Sequence, residues 1–591
     1  MNPFFKMLFA SCLGTLLALL VLGGISTLII GGIASSADKP KPVKANSILH
    51  LTFDQPIPEL TNNTEFTGFK LKQEKVLGLQ EITETLEKAA QDEKIKGIFL
   101  EVDALPTGLT SSNVLRESLL AFRESGKFIL AYSDYYGQQA YYLASAADEV
   151  MVNPIGLVDF RGISATIPFF TPMLDKIGVD MQVFYAGKFK SATEPFRRTD
   201  MSPENKLQTR AYLEDLYEDM LSDIATSRPL SVAELRQLAD DFTGLDPDKA
   251  QAQKLVDRVC TRSDALEQLR ERIGLAEDDD LSFVSLTNYN AVNPPSTNYK
   301  AKSKIAVVYA EGSITGGTDT DNGIITDRRY TDILRDLQKS DKVKAVVLRV
   351  NSPGGSALAS ENILVEVKKI KDKGIPVVVS MGDFAASGGY YISCAADSIL
   401  AEPTTITGSI GVFSIFPSVA ELMEDKIGIT FDTVLTSELS AGLNPVFDLS
   451  SKESRLLQQR TDKMYEGFLG RVAEGRNMTR DEVHEIAQGR VWTGEKALEI
   501  GLVDRLGDLD HAIETAARMA NLQEGDYRIS DYPKVKDPLM QLLEELSGNE
   551  MARERLLLKK QLGRLYPHYR YVKEITEEPG VQARLPYVVE F

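Results

Sequence analysis

The chain contains itself twice. KGIFLEVDALPTG (96–108) recurs as KAVVLRVNSPGGS (344–356), and KFILAYSDYYGQQAYYLASAADEV (127–150) recurs as PVVVSMGDFAASGGYYISCAADSI (376–399). The longer pair shares an aspartate, a Tyr-Tyr and an Ala-Ala-Asp, and Tyr141 stands 249 residues before Tyr390. A third pair follows in the same order, TGLDPDKAQAQKLVDRV (243–259) and TGEKALEIGLVDRL (493–506). Similarity at a fixed period points to repeated structural units. It predicts two copies of one domain, residues 47–272 and 303–525. Between them, 273–302 begins acidic and turns to Asn, Pro, Ser and Thr, as a linker does.

Within each copy, short apolar runs alternate with helical patterns. In the second, KIAVVYAEG (304–312), KAVVLRV (344–350) and PVVVSM (376–381) read as strands. YTDILRDLQKS (330–340) and SENILVEVKKIKDK (360–373) read as helices between them. Strands apolar throughout suit a parallel sheet covered on both faces. The fold class is therefore α/β, in tandem.

The flanks differ from the repeats. Residues 7–33 carry no charge and exceed the 20 or so apolar residues that span a bilayer, so they are expected to be a transmembrane anchor rather than a cleaved signal. A Pro/Lys spacer, 34–46, follows it. Residues 526–591 form a C-terminal extension, with an amphipathic stretch at 539–565 that suggests no task. The net charge of −19 argues against a nucleic-acid partner. The three cysteines have no metal-ligand spacing, and there is no GxxxxGK[ST] or HExxH, so no metal or cofactor is implied.

The chemistry concentrates in VVVSMGDFAASGG (377–389). An apolar run stops at Gly382, a short small-residue loop is expected, and Ser387 precedes Gly388 and Gly389. A serine there can simply cap a helix. It can also be a nucleophile where free backbone N–H groups and the helix dipole favour an oxyanion. NSPGG (351–355) follows a neighbouring strand, and in a parallel sheet such loops meet on one edge. The second loop, with Gly354 and Gly355, can then supply backbone donors to the first.

SPGG, then AASGGYY some thirty residues later, resembles the Clp-protease/crotonase superfold. With GSIGV (408–412) and GRVWTGEKALEIGLVDRLG (489–507), the chain is similar to the signal peptide peptidase A (protease IV) family in its long, duplicated form. The resemblance covers most of 47–525. It implies a membrane-anchored serine endopeptidase with a Ser-Lys dyad. Signal peptides and other hydrophobic peptides would be its substrates, and the assembly would be a homotetramer in the bacterial inner membrane, single-pass, with the catalytic part periplasmic. Two alternatives stand beside it, an acyl-CoA-processing crotonase-type enzyme and a non-proteolytic membrane-anchored scaffold.

None of the four histidines is near Ser387 in sequence, which makes a lysine base attractive. Such a lysine must be neutral, hence buried. YAGKFKSATEPF (185–196) offers Lys188 and Lys190, which would share a side of an extended chain. The family pattern places its base just before S-A-x-E-P-F, at Lys190. At the repeat offset Ser387 corresponds to Gln138, and Lys190 to Leu439, so each copy keeps half of a dyad. The resemblance further implies that Ser409 orients the lysine and that Gly354 or Gly355, together with Gly388, form the oxyanion hole.

Overall fold

The computed structural model describes residues 40–62, 75–276, 279–294, 300–317, 323–534 and 581–584, with a few isolated positions besides. The expected anchor and the amphipathic stretch 539–565 lie almost wholly outside these residues. Among the described residues no helix is long and apolar enough to cross a membrane.

The first repeat builds a parallel sheet. It comprises β1 (Ser47–Leu51), β2 (Ile95–Glu101), β3 (Phe128–Tyr136), β4 (Glu149–Val158), β6 (Arg258–Val259) and β7 (Phe283–Ser285). Their order is β6-β4-β3-β2-β1-β7. One further strand of this repeat, β5 (Asp180–Ala186), leaves the sheet altogether.

The second repeat answers with β8 (Ser303–Glu311), β11 (Val343–Ser352), β13 (Val377–Ala386), β15 (Ile406–Gly408), β17 (Val491–Thr493) and β19 (Tyr527–Tyr532). The order is β17-β15-β13-β11-β8-β19, with β14 (Ser398–Ala401) and β18 (Arg505–Leu506) beside β13. All pairs are parallel except β15 with β17. Alternation along these strands explains the layers. Ala306, Val308, Val346 and Leu348 enter one core with helix Ala357–Asp372. Ile305, Val307, Ala345 and Val347 enter another with helix Leu509–Met519.

A third, mixed sheet joins the repeats. It contains β9 (Ser313–Thr315), β10 (Ile324–Thr326), β12 (Gly354–Ser356), β16 (Val412–Ser418) and β20 (Gln582–Arg584), in the order β10-β9-β12-β20-β16-β5. Thus β5 of the first repeat pairs antiparallel with β16 of the second, Ala186 opposite Val412. Elsewhere between the repeats, buried Arg349 pairs with buried Glu59 at 2.9 Å. The Ser111 backbone N–H and hydroxyl both donate to Asp383, at 3.0 and 2.6 Å.

Three expectations change. The stretch 273–302 is more than a linker, because β7 and helix Leu286–Val292 pack there on β1. The second repeat gains the matching edge strand β19 beyond residue 525. Residues 382–386 are not a loop. The strand β13 continues to Ala386, with a register shift against β11, because β15 takes over its hydrogen bonds as β14 ends.

Candidate active site

Ser387 occupies the turn between β13 and helix Gly388–Ser393. Its backbone is forced to φ 54°, ψ −112°, a conformation that side chains rarely adopt. Two backbone bonds hold it there, Ser387 N–H to Gly408 O at 2.8 Å and Tyr391 N–H to Ser387 O at 2.8 Å. The hydroxyl makes no capping bond to the helix it precedes. The capping alternative therefore does not describe this serine; its hydroxyl instead donates to Gly411 O at 3.4 Å. The following residue must be small, because a Cβ on Gly388 would lie 2.8 Å from Ser360 Oγ and 3.1 Å from Gly354 Cα.

NSPGG ends β11 and opens β12. Gly354 takes φ +102°, and a Cβ on it would come within 2.7 Å of the Gly388 nitrogen. The two glycine segments thus meet directly beside Ser387. Gly354 N–H already donates to Ser352 Oγ at 3.2 Å. That leaves Gly355 and Gly388 as the better placed backbone donors.

Lys190 arrives from the other repeat. β5 stops at Ala186, and Gly187, at φ +102°, turns the chain. The extended geometry that would have put Lys188 and Lys190 on one side is thereby lost. Lys188 is exposed, its ammonium over the Phe189 ring. Lys190 is 1% exposed, with Nζ 2.9 Å from Ser387 Oγ, 3.1 Å from Ser409 Oγ and 3.4 Å from Ser409 O. The Phe413 ring lies 6.0 Å from the amine. Burial among such groups pushes the Lys190 amine well below the ordinary lysine range. Ser409, at φ 50°, is fixed by its N–H to Arg490 O at 2.7 Å.

Several residues outside the expected site hold this loop. Gln208, on helix Pro203–Ser227, donates to Phe189 O at 3.0 Å and to Ser191 Oγ at 2.9 Å. Buried Glu194 accepts from Ser202 N–H and Asn205 Nδ2, which gives the EPF part of the motif its structural task. Phe189 N–H donates to Gln488 O at 2.9 Å, and a Cβ on Gly489 would lie 2.7 Å from Lys190 Cα. The lysine loop can seat only because a glycine stands at 489.

The equivalent place in the first repeat is filled differently. Gln138 Oε1 accepts from Arg161 N–H at 3.0 Å and Gly162 N–H at 2.8 Å, while its Nε2 donates to Gly162 O at 3.1 Å. Phe160, fully buried against Tyr141, stands where the repeat offset places Ser409. Leu439, the counterpart of Lys190, is half-buried in a turn of the segment 429–447.

The profile of peptidase family S49 matches residues 121–276 and 369–523, segments that begin 248 residues apart. Lys190 falls in the first and Ser387 in the second. Protease 4 of Haemophilus influenzae is 35% identical over 506 residues, which cover 83% of this chain and 81% of that protein. Protease 4 of Salmonella typhi is 37% identical over 474 residues, 78% of this chain and 75% of that protein. Among solved structures, a ClpP1 variant of Listeria monocytogenes overlaps 35% of this chain and 94% of its own, at 16% identity and a TM-score of 0.24.

Proposed function

This chain belongs to peptidase family S49 and is a serine protease; from that premise we propose that Ser387 is its nucleophile and Lys190, supplied by the other repeat, its general base. The observation that carries this reading is the 2.9 Å approach of a buried lysine amine to the hydroxyl of a strained serine. Family membership also sets aside the acyl-CoA and scaffold alternatives. The wider reading of the fold as two Clp/crotonase-type units belongs to the same proposal.

In the proposed cycle, the neutral amine of Lys190 takes the Ser387 proton as Oγ attacks the scissile carbonyl. The N–H groups of Gly355 and Gly388 hold the oxyanion. The Lys190 ammonium then donates its proton to the departing amine, and Ser409 accepts a hydrogen bond that keeps the lysine aimed. Water, deprotonated by the same lysine, releases the acyl group. Activity should rise with pH as Lys190 loses its proton, with a midpoint well below the ordinary lysine value of about 10.4.

Substrates are proposed to be signal peptides and other hydrophobic peptides, reached from a membrane anchor at residues 7–33 with the catalytic part on the periplasmic side. The apolar length of that segment and the signal peptide peptidase A resemblance support this. Assembly into a homotetramer is part of the reading. Its structural support is an edge left over by the duplication. The pairing of β5 with β16 has a repeat-related counterpart, 429–435 with 163–169, and within one chain these two segments do not pair. Segment 429–435 has no regular secondary structure and exposes Ile429, Phe431, Val434 and Leu435. Segment 163–169 borders a groove of 740 Å³ lined by Ile163, Ala165, Leu207, Leu213 and Tyr217. A neighbour's 429–435 would complete there the pairing already made inside each chain. Such head-to-tail contacts close into a ring when the rotation between neighbours is a whole fraction of a turn, a quarter for a tetramer.

The experiment is hydrolysis of a fluorogenic peptide together with fluorophosphonate labelling. Ser387→Ala should abolish both. Lys190→Ala should abolish turnover while leaving the fold intact. Turnover retained in either purified variant would reject the dyad.

A further inference from the structure

The mixed sheet has a strand where a substrate would be expected. β20, Gln582–Arg584, lies between β12 of the glycine loop and β16, antiparallel to both. Gly354 stands opposite Arg584, Gly355 opposite Ala583 and Ser356 opposite Gln582. Ala357 N–H donates to Val581 O at 3.1 Å. On the other side Gln582 faces Phe413, the residue whose ring borders Lys190.

The position of one carbonyl is telling. A Cβ on Gly354 would lie 2.1 Å from the Ala583 oxygen, and one on Gly388 would lie 3.1 Å from it. Ala583 O therefore sits in the cleft between the two glycine segments that flank Ser387. Val581, Gln582, Ala583 and Arg584 are all buried, Ala583 completely. Arg584 is further tied by its guanidinium to Ser313 Oγ at 2.5 Å.

Sheet order supplies the second argument. Among the described residues β20 alone connects β10-β9-β12 to β16-β5. Without it, two strand edges would face each other across a gap one strand wide. A gap of that kind takes up an extended peptide by main-chain hydrogen bonds on both sides, with specificity left to alternate side chains. A protease substrate must enter extended, with its scissile carbonyl at the backbone donors beside the nucleophile. Tail and substrate need the same place.

We propose that the C-terminal strand Val581–Arg584 is a built-in competitor. It fills the acyl side of the substrate groove, with Ala583 in the position of the residue whose carbonyl is attacked, and peptide substrates must displace it. The proposal rests on the reading of Ser387 as nucleophile. It also assigns the groove its ligand class, an extended peptide antiparallel to 354–356 with a small residue at the reacting carbonyl.

The test compares the whole chain with a variant ending at Gly580, using one short fluorogenic peptide with alanine before the scissile bond. The truncated enzyme should show an apparent KM lower by about fivefold or more with kcat unchanged. A synthetic peptide of residues 578–591, EPGVQARLPYVVEF, should then inhibit it competitively. If truncation harms folding, the full-length variant Ala583→Trp, too bulky for a fully buried strand position, should lower KM in the same way. Unchanged KM in a folded variant, or no competition by the peptide, overturns the proposal. Persistent turnover in Ser387→Ala would instead sink the nucleophile reading, whatever KM does in the truncated enzyme.

Discussion

Ser387 and Gln138 stand at the same point of two copies of one architecture, and their surroundings differ in every chemically relevant respect. Around Ser387 the backbone is strained, with φ 54°, and a second strained serine, Ser409, lies close by. Around Gln138 no such strain exists, since its helix starts from Gly137 in ordinary extended geometry. The hydroxyl of Ser387 meets a buried amine, while the Gln138 amide is satisfied by the backbone of residues 161 and 162. A strained conformation of that kind costs about 1–3 kcal/mol and persists only where the surroundings enforce it. The first copy has relaxed and the second has not. A duplicated protease can lose the nucleophile in one half and the base in the other provided the two halves stay locked together, and β5 on β16 locks them.

The sharpest way to break this comparison is at the shared residue. Lys190→Met should lower kcat by about 10³-fold or more, because the proposed proton acceptor is gone. It should also stabilise the fold. In the native chain the amine is buried and held well below its ordinary range, while in the unfolded chain it is protonated up to about 10.4. The unfolded state therefore binds the extra proton between these limits, and wild-type stability rises with pH across that window. Methionine removes the penalty, so the gain in Tm should be large at pH 7 and shrink as pH approaches about 10. A gain independent of pH would mean that Lys190 is not buried neutral.

Next in size is Ser409, which the first copy replaces by Phe160. Ser409→Ala should lower kcat by about 10- to 100-fold with little change in KM, since a misaimed base slows chemistry without altering peptide binding. Ser409→Thr should restore part of the loss. Equal changes in kcat and KM would show that Ser409 serves the groove and not the lysine.

The unpaired edges give a third contrast. Inside the chain β5 covers β16, whereas 163–169 and 429–435 are left without each other. Val434, 96% exposed, sits near the end of this segment. Val434→Asp should convert the proposed tetramer to single chains in sedimentation experiments, since a charge would be buried at each proposed contact. Unaltered sedimentation would remove 429–435 from the interface.

Much of this organisation can be read in the sequence, for reasons that differ by element. The strands KAVVLRV and PVVVSM are recognisable because burial on both faces leaves nearly every interior position apolar, the buried exceptions Arg349 and Ser380 being hydrogen-bonded to each other. The proposed split dyad is suggested by the sequence because duplication provides an internal reference, Gln138 for Ser387 and Leu439 for Lys190. What escapes sequence reading depends on contacts between distant segments. Gly489 opens the motif GRVWTGEKALEIGLVDRLG, but its task is seen only when the Lys190 backbone is found against it. Gln208 reads as a surface helix residue, yet it fastens the lysine loop. VQAR has no pattern of its own, because a strand held between two others takes its conformation from them.

The smallest expected effect is the most direct test of what the first copy has lost. Gln138→Ser restores a hydroxyl at the nucleophile position, but no activity should come with it. In an otherwise wild-type chain kcat and KM should be unchanged. In the double variant Gln138→Ser/Ser387→Ala hydrolysis should stay at background. The reason is physical: Phe160 stands where the offset places Ser409, the proposed orienting hydroxyl, and Leu439 offers no proton acceptor. The new serine would have an ordinary hydroxyl, and the backbone N–H groups of residues 161 and 162 would lose the amide oxygen they now bond. A modest loss of stability, about 1 kcal/mol, should be the only consequence. Peptide hydrolysis by the double variant would mean that a base reaches the first copy from elsewhere, and the division of labour between the repeats would have to be redrawn.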